Sequence, residues 1–126
     1  MKNIRKIVHV KASREETFTA ITNPLTIELW SGYPAVMEAE PGTSFSMFDG
    51  DITGTLLALE RPSWVEQQWD FGEQPLPSVA RIELFEDGQK TRIELNHSNV
   101  PEEAFDNINT GWKEYYLGAL KSFLED

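Results

Sequence analysis

The sequence PEEAFDNINTGWKEYYLGALKSFL, residues 101–124, predicts one long amphipathic helix near the C-terminal end of this 126-residue chain. Glu102 and Glu103 follow Pro101 and place negative charge in the first turn, where it suits the helix dipole. At 1.5 Å per residue, a helix from Glu102 to Leu124 extends about 34 Å. Its apolar positions recur at spacings of three and four, and they are Phe105, Ile108, Trp112, Tyr115, Tyr116, Ala119, Leu120 and Phe123. A helix with this face needs a large apolar surface to pack against.

The segment before this helix predicts such a surface, because it alternates in the manner of β-strands. Strands are predicted at residues 45–47, 52–59, 64–71, 79–85 and 91–97. Short turns such as Asp49-Gly50 and Asp87-Gly88 join them. With the alternating residues 4–10 near the N-terminus, they predict a six-stranded antiparallel meander, which will twist and curl.

Two short helices are predicted between the first strand and the others. Ser13 and Glu16 have the spacing of a capping box, which starts a helix that ends at Asn23-Pro24. A second short helix follows and ends before Gly32. The order of elements predicts an α+β, helix-grip fold, in which a curved antiparallel sheet wraps around the long C-terminal helix. We expect residues 1–126 to form a single domain of this kind.

The charge balance bears on the class of partner. The net charge is −10, from 21 acidic and 11 basic residues. Proteins that bind nucleic acid or anionic membranes need a basic surface, so we expect neither partner. No apolar run approaches the roughly 20 residues that cross a bilayer.

Several kinds of reactive site are disfavoured by the sequence. The chain has no cysteine, which excludes disulfides and thiolate metal sites and fits a reducing, cytoplasmic location. Its two histidines are far apart, and no phosphate loop or dinucleotide fingerprint is present. We therefore predict no metal and no cofactor.

Three segments resemble a known family: residues 41–71 (PGTSFSMFDGDITGTLLALERPSWVEQQWDF), 91–101 (TRIELNHSNVP) and 110–125 (TGWKEYYLGALKSFLE). The chain resembles the family named for activators of the ATPase of heat-shock protein ninety, within the START-like or polyketide-cyclase-like superfamily. The resemblance implies a hydrophobic cavity or groove between the sheet and the long helix. It also implies either a small hydrophobic ligand or a chaperone partner, as an analogy drawn from the fold.

Nine residues are candidates for lining that cavity: Trp30, Phe45, Met47, Gln67, Trp69, Phe71, His97, Trp112 and Tyr116. Aromatic walls with a few polar groups are typical of small-molecule pockets. The alternative is that these aromatic residues simply fill the core. Gln67 favours a cavity, because it shares a strand face with Val65, Trp69 and Phe71, and a polar group there needs a partner.

His97 is predicted to end the inward face of the last strand, at the mouth of the cavity. Imidazole titrates near neutral pH, so a histidine there can serve as a general base. A hydrogen-bonded structural role is the other interpretation, and no residue is assigned as catalytic.

Three functions follow from these observations. The first is a domain that binds a small hydrophobic or aromatic molecule. The second is a protein-interaction role, as an activator-like accessory of the chaperone heat-shock protein ninety or a stress-related protein. The third is a cyclase-like enzyme that uses His97 in the same cavity.

Overall fold

A computed structural model describes residues 1–126 and confirms the predicted α+β helix-grip architecture. The elements are β1 (Lys2–Val10), α1 (Arg14–Thr22), α2 (Pro24–Ser31), β2 (Ser44–Met47), β3 (Ile52–Glu60), β4 (Trp64–Trp69), β5 (Ser78–Asp87), β6 (Lys90–Val100) and the C-terminal helix (Glu102–Leu124). All six strands form one antiparallel sheet in the order β1-β6-β5-β4-β3-β2. None of the helices has the length and apolar character that a bilayer crossing requires.

The two short helices begin at side-chain caps. Ser13 Oγ accepts a hydrogen bond from the Glu16 backbone N–H at 3.1 Å, and Asn23 Oδ1 accepts from the Thr26 N–H at 3.1 Å. The predicted capping box differs in one respect. The Glu16 carboxylate accepts a hydrogen bond from the Ser13 hydroxyl and not from the Ser13 backbone N–H. Gly32 ends α2 at φ 82°, a left-handed conformation that glycine adopts without steric cost.

The C-terminal helix is continuous but not uniform. Its first part, α3 (Glu102–Thr110), and its last part, α4 (Ala119–Leu124), are α-helical, whereas Gly111–Gly118 is π-helical. In that segment a Cβ at Gly118 would lie 2.8 Å from the Lys113 carbonyl oxygen. The wider turn changes which residues face the sheet. Tyr115 was predicted on the buried face, and this is wrong: it is 64% exposed, while Tyr116 is 1% exposed.

The core lies between the concave face of the sheet and the helices. Strands β4, β5 and β6 alternate buried and partly exposed residues, as the period of two requires. Gly54 on β3 permits close packing, because a Cβ there would lie 1.9 Å from the Gln68 carbonyl oxygen and 2.8 Å from the Phe45 ring. Phe45 and Met47 on β2 are buried in this core.

Two predicted strand ends are corrected. Strand β6 continues to Val100, so His97 lies inside the sheet rather than at its edge. Strand β4 ends at Trp69, and Phe71 lies two residues beyond it, half-buried. Both residues belong to the candidate site, so these shifts change what each can contact.

Candidate functional site

A row of aromatic rings connects the sheet to the C-terminal helix and α2. Trp69 of β4 stacks on Trp112 with ring centroids 4.9 Å apart. Trp112 packs on Tyr116 at 4.4 Å, and Tyr116 packs edge-on against Trp30 at 4.9 Å. Four of the nine predicted residues are therefore brought together in one continuous row, and all four are buried.

His97 lies against this row, and each nitrogen of its imidazole has a hydrogen-bond partner. Its Nδ1 accepts a hydrogen bond from the Trp112 indole N–H at 2.9 Å, and its Nε2 lies 2.8 Å from Ser78 Oγ. Ser78 Oγ also lies 3.1 Å from the carbonyl oxygen of Ser98, to which it donates. His97 is 1% exposed, and its ring edge faces Trp69 at 4.7 Å.

These partners fix the tautomer of His97. An indole N–H can only donate, so Nδ1 must present a lone pair to Trp112. The neutral ring then carries its proton on Nε2 and donates it to Ser78 Oγ, whose own proton goes to the Ser98 carbonyl. Burial lowers the pKa of His97 to about 4, because desolvation disfavours the charged imidazolium.

The prediction that His97 lies at the mouth of a cavity is therefore wrong. The histidine is enclosed, neutral at physiological pH and fully hydrogen-bonded. Its Nε2 already holds a proton, so it cannot accept one from Ser78. The contacts agree with the alternative interpretation, a hydrogen-bonded structural histidine.

Two of the four buried side-chain atoms that lack a partner within the protein belong to predicted site residues, Gln67 and Tyr116. Gln67 Oε1 accepts from the Trp69 indole N–H at 3.1 Å, but Gln67 Nε2 contacts no acceptor. The Tyr116 hydroxyl also has no protein partner. Burial raises the pKa of Tyr116, so the group remains a phenol that can donate a hydrogen bond. Buried polar groups without partners are uncommon in folded proteins.

A half-open groove of about 750 Å³ lies beside the aromatic row. The π-helical segment forms one wall with Gly111, Trp112, Glu114, Tyr115 and Tyr116. The other lining residues come from α2 and the residues after it, the β2–β3 turn, β3, β4 and the rest of the C-terminal helix. They are Ser31, Tyr33, Phe48, Asp51, Ile52, Trp69, Asn107, Ile108 and Ala119. Nine of the groove's fourteen lining residues are hydrophobic, and most of those are aromatic.

The turn between β2 and β3 is strained where it meets the groove. Phe48 and Asp49 both have φ 54°, in the left-handed region that bulky residues seldom adopt. The Phe48 ring lies 6.3 Å from those of Trp30 and Tyr33, and this contact keeps it in the groove wall. Such strain recurs at binding sites.

Three of the nine predicted residues line the groove: Trp69, Trp112 and Tyr116. Trp30, Phe45, Met47, Gln67 and His97 lie in the core behind it. Phe71 lines a smaller depression of about 250 Å³ beside Ser78.

Sequence reasoning missed other residues of the groove wall: Tyr33, Phe48, Asp51, Ile52, Ile108, Glu114 and Tyr115. A bulky aromatic beside Asp49-Gly50 was the available signal for Phe48.

No group of three or more His, Cys, Asp or Glu side chains is placed to hold a metal ion. The polar side chains that line the groove are Ser31, Tyr33, Asp51, Asn107, Glu114, Tyr115 and Tyr116. The groove therefore combines aromatic surface with hydrogen-bonding groups.

Comparison with known proteins places the chain among named relatives. Residues 11–125 match the family model described as "Activator of Hsp90 ATPase homolog 1-like protein". A mouse protein named "Activator of 90 kDa heat shock protein ATPase homolog 2" is 30% identical over 114 residues, covering 88% of this chain and 34% of that protein. The chain spans about a third of the length of the curated relatives it matches.

Two solved structures share the fold. The crystal structure of PFC0360w, an HSP90 activator from Plasmodium falciparum, has a TM-score of 0.88 at 22% identity and covers 97% of this chain and 95% of that chain. The solution structure of the Aha1 dimer from Colwellia psychrerythraea has a TM-score of 0.86 at 24% identity, covering 99% and 97%. At these identities the likeness concerns the fold. Because the family model matches nearly the whole sequence, this chain belongs to the Activator of Hsp90 ATPase homolog 1-like protein family.

Proposed function

We propose that this protein binds a small, largely aromatic molecule in the groove between the π-helical segment and the turn before β3. The observation that carries the proposal is the groove itself. Its volume of about 750 Å³ falls within the roughly 300–1,000 Å³ of small-molecule pockets. Its walls are aromatic on both sides.

The local backbone supports this assignment. π-Helical turns are rare and occur frequently at functional sites. Here the π-helical segment buries Trp112 and Tyr116 while leaving Tyr115 exposed at the rim. A ligand in the groove would cover Tyr115 and lie against Phe48.

The test is titration of the purified chain with Nile red, an uncharged aromatic dye whose emission rises in apolar surroundings. Tyr115→Ala removes an exposed wall residue, and we expect it to weaken binding about fivefold or more. Leu29→Ala is the matched control, because Leu29 is 72% exposed and lies outside the groove. Equal affinities for the wild type and both variants would place the dye elsewhere and count against the groove.

The named relatives support a second candidate, an accessory role with an Hsp90-type chaperone. Its basis is family membership and the names of the mouse and Plasmodium falciparum proteins. The acidic surface, with a net charge of −10, suits a basic partner surface and would speed encounter. Such a role would place the protein in the cytoplasm.

This candidate is tested with a purified Hsp90 homologue from the same cells. An increase in its ATPase rate on adding the chain, together with retention on the tagged chain, is the expected result. An unchanged ATPase rate and no retention would exclude the role for these residues.

A further inference from the structure

The charged side chains of the groove all have one sign. Asp51 on the turn side and Glu114 on the helix side are the only charged residues that line it, and no Lys, Arg or His does so. Neither carboxylate takes part in an ion pair, although nine other pairs occur in the chain. Both residues are exposed, Asp51 on the turn before β3 and Glu114 on the π-helical segment.

The surroundings add to this negative potential. The chain carries 21 acidic and 11 basic residues, so distant charges do not cancel the two at the rim. The faces of the wall residues Trp69, Trp112 and Tyr115 are electron-rich and attract cations. An anionic ligand would meet repulsion at the rim and no compensating cation inside.

The buried hydrogen-bond donor in the groove wall sets a second requirement. Tyr116 lines the groove and is 1% exposed, and no protein atom accepts a hydrogen bond from its hydroxyl. A phenol so placed favours a ligand that presents a neutral acceptor, such as a carbonyl oxygen or a ring nitrogen. An unpaired buried donor costs about 1–3 kcal/mol, and a ligand that accepts from it recovers part of that cost.

We infer that the groove selects aromatic molecules that are neutral or cationic and carry a hydrogen-bond acceptor, and that it rejects carboxylates and phosphates. The inference rests on the proposed function and narrows it. It excludes fatty acids and anionic lipid headgroups as ligands. The determinants are Asp51 and Glu114 for charge and Tyr116 for the acceptor.

Charge selectivity is tested with three probes that share a three-ring framework. They are 9-aminoacridine as the cation, 9-anthracenemethanol as the neutral probe and anthracene-9-carboxylate as the anion. Each exposed carboxylate should change affinity up to about fivefold, so the cation should bind about tenfold or more tighter than the anion at low salt. Physiological salt should narrow the difference, because it screens exposed charges.

Matched variants identify the source of any preference. Glu114→Gln and Asp51→Asn should each reduce the cation-to-anion ratio several-fold. Glu103→Gln makes the same change in net charge on the same helix but outside the groove, and it should leave the ratio near the wild-type value. Equal binding of the three probes, or tightest binding of the anion, overturns the charge inference and leaves the groove standing. If no probe binds, both the groove and the inference are overturned.

The acceptor requirement is tested with acridine and anthracene at mildly alkaline pH, where acridine is uncharged. The two molecules differ by one ring nitrogen, so wild-type protein should prefer acridine by about fivefold or more. Tyr116→Phe should abolish that preference while retaining anthracene binding. An acridine preference that survives in Tyr116→Phe would show that Tyr116 is not the donor.

Discussion

The neutral, enclosed state of His97 makes stability depend on pH in a predictable way. In the unfolded chain the imidazole binds a proton near its ordinary pKa of 6.5, whereas in the folded protein burial lowers the pKa to about 4. The unfolded state therefore binds more protons over that interval, and acid favours unfolding. The stability due to neutral His97 is fully present above pH 6.5 and is lost as the pH falls from 6.5 to about 4.

The magnitude follows from the two pKa values. Each pKa unit corresponds to 1.36 kcal/mol, so the interval from 6.5 to about 4 is worth about 3 kcal/mol once both states are protonated. At about pH 5 the loss is about 2 kcal/mol relative to neutral pH. Protonation also puts a proton on Nδ1, where it faces the Trp112 N–H, so two donors then oppose each other.

The assay is urea unfolding followed by far-UV circular dichroism at about pH 7.5 and about pH 5. His97→Gln keeps hydrogen-bonding groups but does not titrate, so its free energy of unfolding should fall about 2 kcal/mol less than that of the wild type. Glu125, whose pKa is lowered by its hydrogen bond from Lys121, is present in both proteins and cancels in the comparison. Each protein is compared with itself at the two pH values, so a lower starting stability of the variant does not affect the result.

His9→Gln is the control, because His9 is the only other histidine and lies half-exposed on β1. It should keep most of the wild-type pH dependence. If the free energy of unfolding of His97→Gln depends on pH as that of the wild type does, the burial argument for His97 is refuted.

Two further substitutions test the packing around the groove. Tyr116→Phe removes a buried hydroxyl without a protein partner and should raise the free energy of unfolding by about 1 kcal/mol; a loss of similar size in urea unfolding would show that the hydroxyl is satisfied. Gly54→Ala places a Cβ 1.9 Å from the Gln68 carbonyl oxygen and should cost about 3 kcal/mol or prevent folding. A near-neutral result for Gly54→Ala by thermal unfolding would contradict the close approach of β3 and β4.

Most of the fold was predictable because its signals are local. The cap at Ser13 and the alternation of the strands depend on near neighbours in the sequence. The order of elements then restricts the layers to a sheet with helices on one face. The inward positions of Val65, Gln67 and Trp69 followed from the period of two alone.

The site was predicted only in part, because its features depend on contacts between distant residues. The Trp112–His97 hydrogen bond joins residues fifteen positions apart, and it requires the register that places β6 under the C-terminal helix. An apolar spacing of three and four predicts an α-helix and does not indicate the π-helical turn that exposes Tyr115. The left-handed backbone at Phe48 is likewise invisible to a pattern that assigns Asp49-Gly50 to a simple hairpin turn.

The contacts of Trp112 explain how one helix serves both the core and the groove. Its indole N–H donates a hydrogen bond to His97 Nδ1, and its ring stacks on Trp69. The other imidazole nitrogen of His97 is hydrogen-bonded to Ser78. A side chain held in this way is ordered before any ligand arrives, which lowers the entropic cost of binding. In the binding role proposed above, specificity depends on the charges of Asp51 and Glu114, the two charged residues that line the groove.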